Sequence, residues 1–278
     1  MIQKSYSESK TGKLYLIPTP IGNLEDITLR ALNILKQVDI VFAEDTRETY
    51  NLLKYYEISK RIESCHKYSE MKNKNKILNI LKEGKSIGYV TDRGTPLISD
   101  PGNVIVDECI KNNIDVISLP GASALLPAIN MSGISNERFL FYGFLNSKKS
   151  QAKKELELLK NEQYTLIFYE SPFRIIDTLQ LMYEILGDRK VSIVREISKL
   201  HEEVNRDYLS NIINNVQNIK GEIVVVVEGS KNEEKEIDFD EIINNYIDSG
   251  YSRRDAIKRV SEEYNISKNK IYNKYKEV

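Results

Sequence analysis

Over residues 14–121 short apolar runs alternate with longer stretches whose apolar residues recur every three or four positions. The runs "LYLIP" (14–18), "IVFAED" (40–45), "SIGYVTD" (86–92) and "DVISLPG" (115–121) read as strands. "TLRALNILKQV" (28–38) puts Leu29, Leu32 and Leu35 on one helical face, "NKILNILKEG" (75–84) ends at a capping Gly84, and "NVIVDECIKNN" (103–113) supplies another crossover. A βαβα rhythm of this kind predicts a parallel sheet covered on both faces. The rhythm continues through "RFLFYGFL" (138–145), a charged helix at 148–161, "YTLIFYES" (164–171), a helix near 173–186 and "KVSIVRE" (190–196). "GEIVVVVEG" (221–229) is apolar throughout, as a strand at a sheet centre is. The expected fold is α/β, with a flexible polar arm at 1–12, one α/β domain at 13–121, a second at 122–232 and a small helical domain at 233–278. In that last part, 233–248 is acidic and 251–278 carries excess Lys and Arg. Ser252 and Ser267 occupy helix N-cap positions, and two short helices around "YNI" resemble a helix-turn-helix. Two readings stand for this tail: a cap packed on the second domain, or a nucleic-acid contact.

Composition narrows the classes. The length of 278 residues suits about two domains, and a net charge of −1 gives no whole-chain attraction to nucleic acid or membrane, so any RNA contact must be a local patch. Cys65 and Cys109 stand far apart in no CxxC pattern, which fits a reducing cytoplasm and argues against a zinc ribbon or a disulfide frame. With only His66 and His201, no metal site is expected. No apolar run approaches the ~18 residues of a membrane span, and the start, "MIQKSYSESKTGK", lacks an apolar signal core.

The chemistry concentrates where strands end. "IGYVTDRGTPLISDPG" (87–102) packs two glycines, two prolines and two aspartates behind an apolar run, and "PTPIGN" (18–23) and "LPGAS" (119–123) are similar loops. Such loops at one sheet edge grip a small molecule through backbone groups. No GxGxxG follows the first strand, and neither a P-loop nor a GxSxG elbow occurs. Four strands also end in carboxylates, placing Glu44, Asp45, Asp92, Glu170 and Glu196 near one rim, as ligand groups or as helix caps.

Taken in order, "LYLIPTPIGNLEDITLRAL", "AEDTR" (43–47), "GTPLISDPG" (94–102), "LPGASA" (119–124), "FYES" (168–171), "VRE" (194–196) and "GEIVVVVEG" resemble the small-subunit rRNA methyltransferase branch of the tetrapyrrole (class III) methylase superfamily. The resemblance runs from about residue 13 to the end. It implies two α/β domains with a cleft between them, S-adenosylmethionine folded into that cleft, and a homodimer. It implies as acceptor the 2′-hydroxyl of a cytidine in the decoding region of 16S rRNA within the small ribosomal subunit. By motif matching, the donor contacts fall on Pro20, Ile21, Asp92, Thr95, Ile98, Ser123, Ala124, Tyr169 and Glu222. This chain departs from the branch at Arg93, where a small residue is usual, at "HKYSE" (66–70), which keeps only His66 and Glu70 of a common stretch, and at "PFR", where Phe173 replaces a histidine. Arg93 either meets a phosphate or, the favoured reading, pairs with Asp92 or Asp100.

A ribose hydroxyl is a weak acid, so a carboxylate base is expected to assist transfer, with Glu170 and Glu196 first and Asp100 behind them. Arg47, Arg174 and Arg195 are available to hold rRNA phosphates, or pair with the rim carboxylates instead. In the tail Arg253, Arg254, Lys258, Lys268, Lys270 and Lys274 would hold surrounding RNA. The competing functions are a small-molecule methylase acting on a tetrapyrrole, and a noncatalytic ribosome-binding factor with a decayed site.

Overall fold

The structure is a computed structural model that describes residues 3, 5–6, 10–66, 70–215, 219–231, 239–264, 267 and 271. The chain forms two compact units, Met1–Ser230 and Lys231–Val278.

The first unit holds two five-stranded sheets. One contains β1 (Leu14–Leu16), β2 (Ile40–Ala43), β3 (Arg61–Ser64), β4 (Ile87–Val90) and β5 (Val116–Ser118) in the order β3-β2-β4-β1-β5, all parallel. Crossovers are α1 (Leu29–Gln37), α2 (Thr46–Tyr55), α3 (Glu70–Lys82) and α4 (Asn103–Lys111). Period-two alternation divides the strand residues between two cores. Leu14, Phe42, Ile87 and Tyr89 face Ile77, Leu81 and Ile105, while Ile17, Val41 and Val90 face Ala31, Leu35 and Leu53. Thr28 caps α1 and Asp45 caps α2 by accepting backbone N–H groups. β3 was not expected, because "RIES" is half-exposed and polar at the sheet edge.

The first turn of α4 is capped from outside. Gly102 has no side chain to offer, and the buried Glu70 of α3 instead accepts from the N–H groups of Gly102 (3.1 Å), Val104 (2.9 Å) and Ile105 (3.4 Å). A carboxylate at a helix N-terminus is favoured by the orphan donors and the helix dipole.

The second sheet has the order β6-β7-β10-β8-β9, from β6 (Phe139–Phe144), β7 (Thr165–Glu170), β8 (Lys190–Arg195), β9 (Glu203–Tyr208) and β10 (Ile223–Val227). This corrects the expectation of a parallel second sheet: β6 and β7 are parallel, but β10 runs against both β7 and β8, and β9 against β8. The polar edge strand β9 carries no apolar signature, so the reversal it makes was invisible. After it the chain returns through α8 (Leu209–Asn215) and threads the apolar β10 into the sheet centre, as its composition required. Reversal puts the start of β10 beside the ends of β7 and β8, with Ile223 opposite both Glu170 and Arg195. The helices α6 (Lys149–Leu159), α7 (Ile175–Leu186) and α8 cover one face, and α5 (Leu125–Ser132) covers the other with Ile21 of the first loop. Cys65 and Cys109 are buried free thiols, and burial pushes Cys109 up to about 12.

In the second unit α9 (Phe239–Asp248) and α10 (Arg253–Glu263) bury Ile243, Ala256, Ile257 and Val260, with Ser252 accepting from the Asp255 N–H as the expected N-cap. The pair described is thus α9–α10; the helix expected after Ser267 lies outside the described residues, as do Lys268, Lys270 and Lys274. Among the described residues no helix is long and apolar enough to cross a membrane.

Candidate functional site

The three glycine- and proline-rich loops meet. Thr19 and Gly94 form an isolated antiparallel bridge through reciprocal N–H···O bonds of 3.0 and 2.9 Å, and the Thr19 hydroxyl donates to the Thr91 carbonyl. Thr95 donates its hydroxyl to the carbonyl of Ala122 at 2.9 Å, tying the second loop to the third. The loop after β4 needs its special residues. Gly94 has φ +80°, and a Cβ there would sit 3.3 Å from Ile21. Leu97 and Ser99 also hold left-handed backbone, at φ 73° and 68°, a strain that the surrounding structure must offset.

These loops wall a cavity of about 250 Å³ against the ends of the second sheet. Of the residues singled out in the sequence, Ile21, Thr95, Ile98, Asp100, Ser123, Ala124, Tyr169, Glu170 and Glu222 all line it. Pro20 and Asp92 do not: they line a neighbouring cavity, on the other side of the Thr19–Gly94 bridge. Phe144, Ile197 and Val224 line the first cavity and were passed over. Phe144 ends a strand like the residues that were noticed, and Val224 reaches the rim only because β10 is reversed. Tyr169 packs edge-on against Phe141 and Phe144 at 4.8 and 5.6 Å, and its hydroxyl meets Ser123 and the backbone of Leu125. Burial raises its pKa.

The carboxylates separate by environment. Glu170 is buried, and its oxygens accept from Thr178 Oγ1 (2.6 Å), Arg174 (3.1 Å) and the Ser171 N–H (2.7 Å). Arg174 also donates to the Leu145 carbonyl. Glu170 is therefore not the free base expected, and of the two readings of Arg174 the structure has the pairing with a rim carboxylate, which also holds the adjoining loop. Glu196 does not line the cavity. It pairs with Lys199 at 2.8 Å and accepts from the Glu222 N–H, which together hold its carboxyl below the usual range and make it a poor base. It is seated where Gly221 leaves room, since a Cβ there would lie 2.3 Å from Glu196 Oε1. Asp100 is different. Burial, with Glu44 and Asp92 nearby and the Thr91 hydroxyl opposing, pushes its carboxyl up to about 6. Glu44 is raised too, by burial and by Asp92.

Cations at the mouth are paired. Arg93 reaches across from the first sheet to Glu222 of the second rather than to Asp92 or Asp100, which corrects the favoured reading. Lys199 bridges Glu222 (2.9 Å) and Glu196, and Ser198 donates to Asp26 at 2.6 Å, again joining the two layers. Arg195 pairs with Glu203, and Arg47 with Asp45 at 3.1 Å while staying almost fully exposed. Exposed pairs of this kind contribute little to stability, because water and salt screen them. Among the described residues no His, Cys, Asp and Glu cluster is arranged to hold a metal ion.

The sequence model described as Tetrapyrrole (Corrin/Porphyrin) Methylases matches residues 13–213. The chain belongs to the tetrapyrrole methylase family. Methylases of this family use S-adenosylmethionine as methyl donor. Curated relatives place the methylase in one branch. A protein named ribosomal RNA small subunit methyltransferase I from Bacillus subtilis is 45% identical over 96% of this chain and 95% of its own length. One of the same name from Halalkalibacterium halodurans is 42% identical over 98% of each. A third, from Thermotoga maritima, is 46% identical over 222 residues, which are 79% of this chain and the whole of that protein. Solved structures share the methylase fold at 14% identity: diphthine synthase, with a TM-score of 0.61 over 78% of this chain and 90% of its own, and uroporphyrin-III-C-methyltransferase from Thermus thermophilus, at 0.55 over 78% and 92%.

Proposed function

We propose that this methylase transfers a methyl group from S-adenosylmethionine to the ribose 2′-hydroxyl of a cytidine in the decoding region of 16S rRNA. The near-full-length identity to relatives named for the small-subunit RNA carries the substrate class; the cytidine, its 2′ position and its place in the decoding region rest on the resemblance of the motifs. The cavity suits the donor chemically. Ile21, Ile98, Ala124, Ile197 and Val224 offer an apolar wall, and the missing Cβ of Gly94 lets a ligand approach backbone. Glu222, shared between Arg93 and Lys199, is the carboxylate that the wall offers a cationic ligand.

When bound, the donor supplies a methyl on a positively charged sulfur that leaves as a neutral thioether. The chain's own task is alignment and exclusion of water. Thr95, fixed on Ala122, and Ser123, fixed beside Tyr169, keep the loops in one arrangement. Glu170 is a positioning residue that pins the start of α7 through Thr178 and Arg174. Asp100 takes the 2′-hydroxyl proton, because it alone combines a place on the cavity with a carboxyl poised near neutrality. The reading includes a cytoplasmic homodimer with the domain limits 13–121, 122–232 and 233–278.

The exposed Arg253, Arg254 and Lys258 of α10 add RNA affinity in this reading. The Thermotoga relative is about the size of the first unit, so the chemistry resides there and the tail contributes binding. A chain ending at Ser230 is expected to bind S-adenosylmethionine with unchanged affinity in calorimetry. Its KM for unmethylated 30S subunits should rise at least tenfold, with kcat within a few-fold of the full chain. Equal KM for both chains would remove the tail from the account.

A further inference from the structure

The second cavity, of about 460 Å³, has no role in donor binding as described above, yet it shares a wall with the donor cavity. Thr19 lines the second cavity and Gly94 the first, and their hydrogen-bonded bridge cannot part without breaking backbone pairs. Arg93 lines both cavities, so it is the movable part of the partition. Among the described residues its guanidinium pairs with Glu222, with both side chains more than half exposed. An ion pair so wetted is readily exchanged for another anion.

The lining of the second cavity has the chemistry of a nucleotide site. Tyr55 of α2 presents a 62% exposed ring, set edge-on to Tyr56 at 4.9 Å, while Tyr56 is itself anchored to the Leu24 carbonyl. An exposed ring on a fixed support is a stacking platform for an unpaired base. Asn51, one helical turn earlier, offers an amide to a base edge, and Lys199 and Arg93 are cations at the same cavity. We propose that this cavity receives the acceptor ribonucleotide, stacked on Tyr55, and that Arg93 leaves Glu222 for an RNA phosphate as the strand enters. That exchange opens the partition and brings the acceptor hydroxyl to the donor side. The inference rests on the rRNA reading above and names where that substrate sits.

The test compares wild type with Tyr55→Ala, Arg93→Ala and Arg93→Lys, using 30S subunits for kinetics and calorimetry for S-adenosylmethionine. Tyr55→Ala is expected to raise KM for subunits at least tenfold while donor affinity stays within twofold. Arg93→Ala should raise KM and lower the slope of log KM against log salt by about 0.7, one phosphate contact on a single strand. Arg93→Lys should restore that slope. Unmoved KM in Tyr55→Ala and Arg93→Ala, with wild-type methylation intact, overturns this inference and leaves the rRNA reading standing. A loss of donor affinity as large as the rise in KM assigns the cavity to the donor and also overturns it. A wild type that methylates no rRNA overturns both.

Discussion

Asp100→Asn is expected to lower kcat for rRNA methylation by about 10²–10⁴-fold while leaving S-adenosylmethionine affinity within a few-fold. Asparagine keeps the shape and loses the ability to take a proton, together with the charge of the ionised form. In the wild type, kcat/KM should climb about tenfold per pH unit below the Asp100 pKa of about 6 and level off above it, because the base works only when ionised. The variant's residual rate should lack that limb. Stability should move the other way. The folded carboxyl ionises at about 6 against an ordinary 3.8, so the stabilisation present below pH 3.8 is lost as pH rises through 6. Asp100 is only partly buried, so solvent screens part of that loss. Asp100→Asn removes that penalty, so its Tm at pH 8 should exceed that of the wild type and the two should converge near pH 4. A variant with full activity would show that Asp100 takes no proton; one with a lower Tm would show that its environment does not disfavour the charge.

Glu70→Ala should be strongly destabilising. It strips an acceptor from the N–H groups of Gly102, Val104 and Ile105 and leaves buried donors at a helix terminus. A loss of about 2–3 kcal/mol is expected, a fall in Tm of roughly 5–10 °C for a unit of this size. Glu70→Gln, which keeps a carbonyl acceptor, should recover at least half of it. Gly102 closes the strained loop that carries Thr95, Ile98 and Asp100, so the alanine variant should also weaken donor binding. Thermal melts with calorimetry check both effects, and a Tm within 2 °C of wild type in Glu70→Ala would contradict the capping role.

Glu70 also shows what sequence makes legible. It was noticeable as a residue kept in an otherwise altered "HKYSE", but nothing local said that it caps a helix beginning 33 positions later. The parallel first sheet was readable because each of its apolar runs is followed by a helical period. The second sheet was misread at one point: β9 is polar and exposed, and without it the reversal of β10 has no signal. The loops that wall the first cavity were readable from glycine, proline and carboxylates placed after strands. Which carboxylate is free was not, since the donors that occupy Glu170 and Glu196 come from Thr178, Arg174 and Lys199, whose pairing is a matter of packing. Arg93 is the clearest case. Its partner Glu222 is 129 residues away and belongs to the other sheet.

The central claim, methyl transfer to a ribose oxygen of small-subunit RNA, is tested most directly by alkaline digestion. Unmethylated 30S subunits are incubated with the protein and methyl-labelled S-adenosylmethionine, and the recovered 16S rRNA is hydrolysed in alkali. A 2′-O-methyl group blocks cleavage of the adjoining phosphodiester, so the account predicts label in a single alkali-resistant dinucleotide with cytidine at its 5′ side. Label in mononucleotides, which marks methylation of a base, or no label in the RNA at all, would contradict it.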